Sequence, residues 1–589
     1  MKSFIKYTFA TVVGLVLTIT LLTVIGIVSM AGMIANEGMS APIEEKSILR
    51  IPLNGELTER VDVSPFASMM GETDANLSLE DALLALKKAA KNENIEGVYL
   101  ESGALAATPA MAQELRQALL EFKKSGKWII AYGDTYSKMG YYLASVADSV
   151  LLNPEGNVDF SGMATQLMFY KDVMEKLGVK MQVFKVGTYK SAVEPFIATE
   201  MSSANREQIT SYISNIWENV VGDVAASRGK DVAQLNALAD SLTMISAAAN
   251  SVDGGLVDKL CYIDEVKSLL RNKCQLSDDD EELMFVDVAE MAKSETLDDK
   301  IDEQVAVYYA YGEIVQSASA GYGGGHQIVG EEMVKDLQAL RLDDDIKAVV
   351  IRVNSPGGSS YASEQIWREV ELLKAEKPVV ISMGGMAASG GYYISCSANR
   401  IFAEPTTLTG SIGIFGMIPD MSELMTEKVG VKFDVVKTHE MSDIGTMARP
   451  FNEKESAKMQ QMVNRGYDIF TQRVAQGRGM SQDSVKLIAE GRVWTGEQGI
   501  KIGLVDELGN LDAAVAHAAK FAKVEKFRTV AYPAPEGPFA QLMNKEKSSY
   551  LDAQLKEILG ANYASFTFLR DIQNQDRLQA RLPYFLEVK

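Results

Sequence analysis

The feature that most constrains this chain is that it contains one unit twice. After an apolar run, Pro378 to Ser382, it reads Gly384-Gly385-Met386-Ala387-Ala388-Ser389-Gly390-Gly391-Tyr392-Tyr393. After a similar run, Trp128 to Ala131, it reads Gly133-Asp134-Thr135-Tyr136-Ser137-Lys138-Met139-Gly140-Tyr141-Tyr142. Superimposing the Gly-Tyr-Tyr triplets sets Lys138 opposite Ser389. The likeness continues on both sides. Ile48 to Gly55 matches Val305 to Gly312, and Ile95 to Leu100 matches Ile346 to Ile351. Leu177-Gly178-Val179-Lys180 matches Val429-Gly430-Val431-Lys432. Arg228-Gly229 matches Arg478-Gly479, and Gly255 to Asp258 matches Gly503 to Asp506. A separation of roughly 250 residues is that of a duplicated domain, not of a solenoid. Because the copies differ at polar positions, the chain is expected to build one composite site from both.

Each copy alternates β-branched runs with helical patterns. Met111, Leu115, Leu119 and Phe122 mark one helix stripe, and Ile366, Val370 and Leu373 mark its counterpart. Strands followed by such helices imply an α/β fold with largely parallel sheets. The expected division is an N-terminal segment 1–46, a first repeat 47–276, an acidic linker 277–303, a second repeat 304–538 and a helical tail 539–589. Leu551, Leu555 and Ile558 suggest the tail helix.

Between Tyr7 and Asn36 there is no charged residue, and Lys2 and Lys6 precede this stretch while Glu37, Glu44 and Glu45 follow. Such a segment predicts a single transmembrane helix, with a cytoplasmic N-terminus and the remainder outside. A secretory signal cleaved near Ser29-Met30-Ala31 and a buried core helix are the alternatives. The net charge of -21 argues against a nucleic-acid partner. Three cysteines, Cys261, Cys274 and Cys396, make no disulfide framework, and buried thiols are expected. His326, His439 and His517 are far apart, and neither HExxH nor a Cys/His cluster occurs, which argues against zinc.

Three segments could carry chemistry. Asn354-Ser355-Pro356-Gly357-Gly358-Ser359 follows an apolar strand, and its glycines can expose backbone N–H groups to an oxyanion. It is also an ordinary strand-to-helix turn. Ser389, flanked by small residues, could be a nucleophile or a helix cap. It lies in no GxSxG elbow, and no His-Asp order supports a conventional triad. A nucleophilic serine needs a base. Gly187-Thr188-Tyr189-Lys190-Ser191-Ala192 offers Lys190, whereas the matching region from Thr438 to Gly445 has no aligned lysine. Desolvation would make its neutral amine available, and Ser411 in Thr409-Gly410-Ser411-Ile412-Gly413 could orient it. A surface lysine is the competing reading.

Taken together these motifs resemble the long, duplicated form of signal peptide peptidase A, a membrane-bound bacterial serine protease. The resemblance covers nearly the whole chain. It implies tandem crotonase/ClpP-like domains, a bowl-like homotetramer and a Ser/Lys dyad, with Ser389 as nucleophile, Lys190 as general base and Ser411 positioning the lysine. Gly358 matches the oxyanion-loop position, with the Gly390 N–H as a second donor. No cofactor is implied. The implied substrates are residual signal peptides and other extended apolar peptides, and the implied location is the bacterial inner membrane with the catalytic region in the periplasm. A crotonase-like acyl-CoA enzyme and a non-catalytic membrane scaffold are the competing classes.

Overall fold

The computed structural model describes residues 42–61, 76–276, 282–294, 301–317, 326–534 and 578–581, with scattered residues between 6 and 21. Three sheets organise them. The first takes its strands from the first repeat, in the order Leu77–Ser78, Ser47–Thr58, Ile95–Ala106, Trp128–Tyr136, Ser149–Val158 and Lys259–Leu260. Every neighbouring pair in it is parallel. The second is its counterpart, with Gln304–Tyr311, Ile346–Ser355 and Val379–Ala388 at the centre. These three strands are buried almost throughout. That is why they read as unbroken apolar runs rather than alternating ones.

The copies share more than strand order. The register slips after Ser47↔Ile95 in one sheet and after Gln304↔Ile346 in the other. The matched Arg-Gly and Gly-Leu-Val-Asp motifs meet in both. Arg228 Nη2 lies 2.5 Å from Asp258, and Arg478 Nη2 lies 2.5 Å from Asp506. The first tyrosine of each Gly-Tyr-Tyr triplet donates to the leucine carbonyl of the same motif, Tyr141 to Leu256 at 2.8 Å and Tyr392 to Leu504 at 2.9 Å. Both helix stripes are buried against their sheets.

The third sheet joins the repeats. Its order is Gln327–Val329, Glu313–Val315, Gly357–Ser359, Gln579–Arg581, Phe415–Asp420 and Lys180–Lys185. The last strand belongs to the first repeat but runs antiparallel to Phe415–Asp420 of the second, with Lys185 opposite Phe415.

Several expectations change. Within the acidic linker, Phe285–Asp287 pairs with Ser47–Thr58 and Val288–Lys293 is a helix. Val286 and Met291 are buried, so this part of the segment packs with the first sheet. The residues that suggested a tail helix lie outside the described residues, and Gln579–Arg581 is a strand. The expected transmembrane helix is also corrected, and with it the lipid partner and the single-pass inner-membrane placement. Among the described residues no helix is long and apolar enough to cross a membrane. Of Tyr7 to Asn36, only a few short helical pieces up to Leu21 are described, and the rest lies outside the described residues. Cys261, Cys274 and Cys396 are buried free thiols.

Candidate active site

Lys190 comes from the first repeat and Ser389 from the second. The strand Lys180–Lys185 carries the chain onto the second repeat's sheet, and the loop after it turns inward at Gly187, where φ is +104°. Side chains rarely adopt that conformation, and an added Cβ would stand 2.4 Å from the Glu490 carbonyl. The Tyr189 N–H donates to the same carbonyl at 2.9 Å. Gln208 holds the loop from behind: its side-chain amide donates to Tyr189 O at 3.0 Å and Ser191 Oγ at 3.1 Å. Its amide oxygen accepts from Val493 N–H at 3.1 Å. The Arg492 guanidinium lies over the rings of both Tyr189 and Trp494.

This framework leaves Lys190 wholly buried, at 0 % exposure. Its Nζ lies 2.8 Å from Ser389 Oγ, and 3.1 Å from both the carbonyl and the hydroxyl oxygen of Ser411. Burial pushes the lysine well below its ordinary pKa, because the ammonium form loses hydration here. The side chain reaches Ser389 past glycines. An added Cβ would come within 2.6 Å of Lys190 at Gly491 and 3.1 Å at Gly413.

Ser389 follows Val379–Ala388 and starts the helix Gly390–Ser395. Its φ of 54° and ψ of -111° are strained for a residue with a Cβ, at a cost of about 1–3 kcal/mol. The strain is held by two backbone bonds. Ser389 N–H donates to Gly410 O at 2.8 Å, and Tyr393 N–H donates to Ser389 O at 2.8 Å. Its side chain makes no cap bond, so the helix-cap reading does not describe it. Ser411 is also at positive φ, 50°, with its N–H on Arg492 O at 2.7 Å.

Gly357 and Gly358 have φ of 96° and 158°. Ser355 sets their turn: its Oγ donates to Gly312 O at 2.6 Å and accepts from Gly357 N–H at 3.1 Å. A Cβ on Gly357 would stand 2.6 Å from Gly390 N, so this loop lies directly against the backbone after Ser389. Asn354 ties loop to strand. It accepts from Met386 N–H at 3.1 Å and donates to Glu59 of the first repeat at 2.9 Å.

All five expected site residues, Lys190, Ser389, Ser411, Gly358 and Gly390, therefore fall in one neighbourhood. The position opposite Ser389 in the first repeat, Lys138, is half-buried and lies elsewhere, near Asp159. Sequence reasoning missed Gln208, Glu490, Gly491 and Glu59. Each acts through a backbone or side chain hundreds of residues away or through a loop without a motif, and a single sequence gives no signal for them. Such an arrangement can transfer a proton from a hydroxyl to a neutral amine and present backbone donors beside the reacting oxygen.

Comparison with known proteins agrees with this chemistry. The model of peptidase family S49 matches residues 121–277 and again 371–525. A Clp protease model matches residues 312–408. Protease 4 of Salmonella typhi is 39% identical over 76% of this chain and 73% of its own length. Protease 4 of Haemophilus influenzae is 34% identical, covering 81% of this chain and 80% of its own. The chloroplastic serine protease SPPA of Arabidopsis thaliana is 30% identical, covering 88% and 76%.

Proposed function

The chain belongs to peptidase family S49 and is a serine endopeptidase; from that premise we propose that it degrades residual signal peptides, with Ser389 as nucleophile and Lys190 as general base. The 2.8 Å contact between a fully buried lysine and the serine hydroxyl carries this reading. A buried, unpaired ammonium would be costly, so the amine is held neutral and has a lone pair for the Ser389 proton. The serine oxygen attacks a peptide carbonyl. The Gly358 and Gly390 N–H groups stabilise the oxyanion, and the lysine returns its proton to the leaving amine. The same lysine then activates the water that releases the acyl-enzyme. Ser411 orients the amine through its two oxygens. Signal peptides fit the family relatives and an extended backbone recognised by strand edges. The membership supports a peptidase over an acyl-CoA enzyme or a scaffold.

Hydrolysis of an unfolded apolar peptide by the purified chain tests the assignment. Ser389→Ala and Lys190→Ala should each fold and lose activity by on the order of 10⁴-fold or more. Near-normal turnover by either variant would remove that residue from the mechanism. A matched charged peptide cleaved faster than the apolar one would reject signal peptides as substrates and leave the dyad standing.

A further inference from the structure

Lys190 and Ser389 belong to different repeats, so their separation depends on what joins the loop of one to the frame of the other. Gln208 makes that joint. It lies on the helix Ser203–Arg228 of the first repeat and is fully buried. Its Nε2 donates to Tyr189 O at 3.0 Å and to Ser191 Oγ at 3.1 Å, the residues on either side of Lys190. Its Oε1 accepts from the Val493 N–H at 3.1 Å, in the second repeat. Val493 stands opposite Gly410 in an antiparallel pair, and the Gly410 carbonyl takes the Ser389 N–H at 2.8 Å. The carbonyl of Arg492, the residue before Val493, takes the Ser411 N–H at 2.7 Å. One side chain therefore spans from both neighbours of the amine to the strand that holds the nucleophile and Ser411. Its amide has a single favourable orientation. Nε2 also donates to Asn205 Oδ1 at 3.1 Å, and Asn205 Nδ2 donates to Glu194 at 2.9 Å. Turned over, the amide would set its oxygen against the Tyr189 carbonyl and its nitrogen against the Val493 N–H.

The same helix docks on the second repeat through other side chains as well. Ser211, Asn215 and Asn219 follow Gln208 at the three- and four-residue spacing that shares one helix face. Ser211 Oγ accepts from Gln498 at 3.1 Å, and Asn215 accepts from Thr495 Oγ1 at 2.6 Å. Asn215 and Asn219 donate to Glu497 at 2.8 Å and 3.2 Å. The corresponding helix of the second repeat, Glu453–Arg478, has the same 26 residues. There the equivalent positions Lys458, Gln461 and Arg465 are exposed. Docking thus accounts for the polar stripe, and of its four members Gln208 is the one bonded to the base loop.

We propose that Gln208 is the positioning residue of the general base, acting through Lys190, a reading that rests on the Ser389/Lys190 assignment above. With Gln208 in place the loop cannot slide along the Val493 strand without stranding a buried donor or acceptor. The distance from amine to hydroxyl is therefore set by a side chain that touches neither.

The test is peptide turnover by the full chain across pH, with urea midpoints beside it. Gln208→Met keeps the length and removes every bond. It should lower kcat on the order of a hundredfold and leave KM within about twofold, because it shifts the amine and not the cleft. Its kcat/KM should also level off at a higher pH than wild type, as a displaced amine regains hydration. Gln208→Glu keeps the shape but has at most one donor for Tyr189 and Ser191, and any negative charge on it favours the ammonium. It should move the plateau the same way, and it decides the matter if Gln208→Met fails to fold. Asn215→Ala breaks docking contacts alone, and should lower the urea midpoint with kcat and plateau near wild type. A folded Gln208 variant whose plateau stays at the wild-type pH overturns the proposal. So does an Asn215→Ala variant that loses as much kcat as Gln208→Met, which would make Gln208 one docking contact among several. Near-normal turnover by Lys190→Ala overturns instead the dyad reading on which the proposal rests.

Discussion

At the scale of the residue, the chemistry depends on keeping one amine dry. Lys190 has a pKa lowered by burial, so its neutral form is available below the usual lysine range of about 10.4. kcat/KM should rise with pH through the depressed value and then level off. Stability should change in the same direction. Between the depressed value and about 10.4 the unfolded chain binds a proton that the folded chain does not, so stability increases with pH across that window. Lys190→Met should remove this slope, and it should exceed wild type most at the low end of the window. Urea midpoints across the alkaline range would check this, and parallel curves for the two proteins would contradict it. Placement matters as much as protonation. Gly491 has φ +78°, and a Cβ there would stand 2.6 Å from Lys190. Gly491→Ala should displace the amine and reduce kcat on the order of a hundredfold, and a rate close to wild type would show that the loop can yield without moving Nζ.

At the scale of the element, what the sequence revealed was what the duplication repeats. Residues 95–100 and 346–351 were legible as equivalent strands because both stretches are buried on two faces and read as apolar runs. The Arg-Gly and Gly-Leu-Val-Asp motifs were legible as equivalents, but not as contacts, since nothing in a linear spacing says that Arg478 reaches Asp506. Leu177-Gly178-Val179-Lys180 was matched to Val429-Gly430-Val431-Lys432, yet the neighbour of the strand Lys180–Lys185 that follows could not be foreseen. The partner strand lies in the other repeat, and residues 431–436 form no strand in the structure. The same limit hid Gln208 and the tail strand. The repeated ion pair can be weighed directly. Asp506 keeps 19% of its side chain exposed and Asp258 keeps 41%, each opposite an arginine below 10%. Asp506→Ala should therefore cost more, about 1–3 kcal/mol, with Asp258→Ala below it because solvent screens the more exposed pair. Denaturant titration of both variants gives the ranking, and the reverse order would mean that exposure does not set the cost.

At the scale of the whole molecule, the two repeats are locked by charge buried between them. Arg352 of the second lies 3.0 Å from Glu59 and 2.5 Å from Glu114 of the first, with all three side chains at most 2% exposed. Beside them is Glu404, whose Oε2 accepts from Gln117 of the first repeat at 2.7 Å. Its Oε1 is buried without a hydrogen-bond partner. One cation cannot neutralise three carboxylates. Burial, and then the nearby Glu114, push the Glu404 pKa up to about 8. Burial raises Glu59 too, but Glu59 has the Arg352 and Asn354 hydrogen bonds. Glu404 has no cation paired with it among the described residues, so Glu404 is the carboxyl that keeps its proton. Unfolded, it would ionise near 4.3. Its contribution to stability is therefore complete below about pH 4.3 and is lost as pH rises through about 8. Glu404→Gln has the shape of the protonated acid but nothing to lose. Its Tm should match wild type near pH 4 and move above it progressively until about pH 8, with Ser389-dependent turnover retained because the contact between Lys190 and Ser389 is untouched. A Tm that falls further behind wild type as pH rises would show that Glu404 is ionised in the fold, and that the junction between the repeats needs its charge rather than its proton.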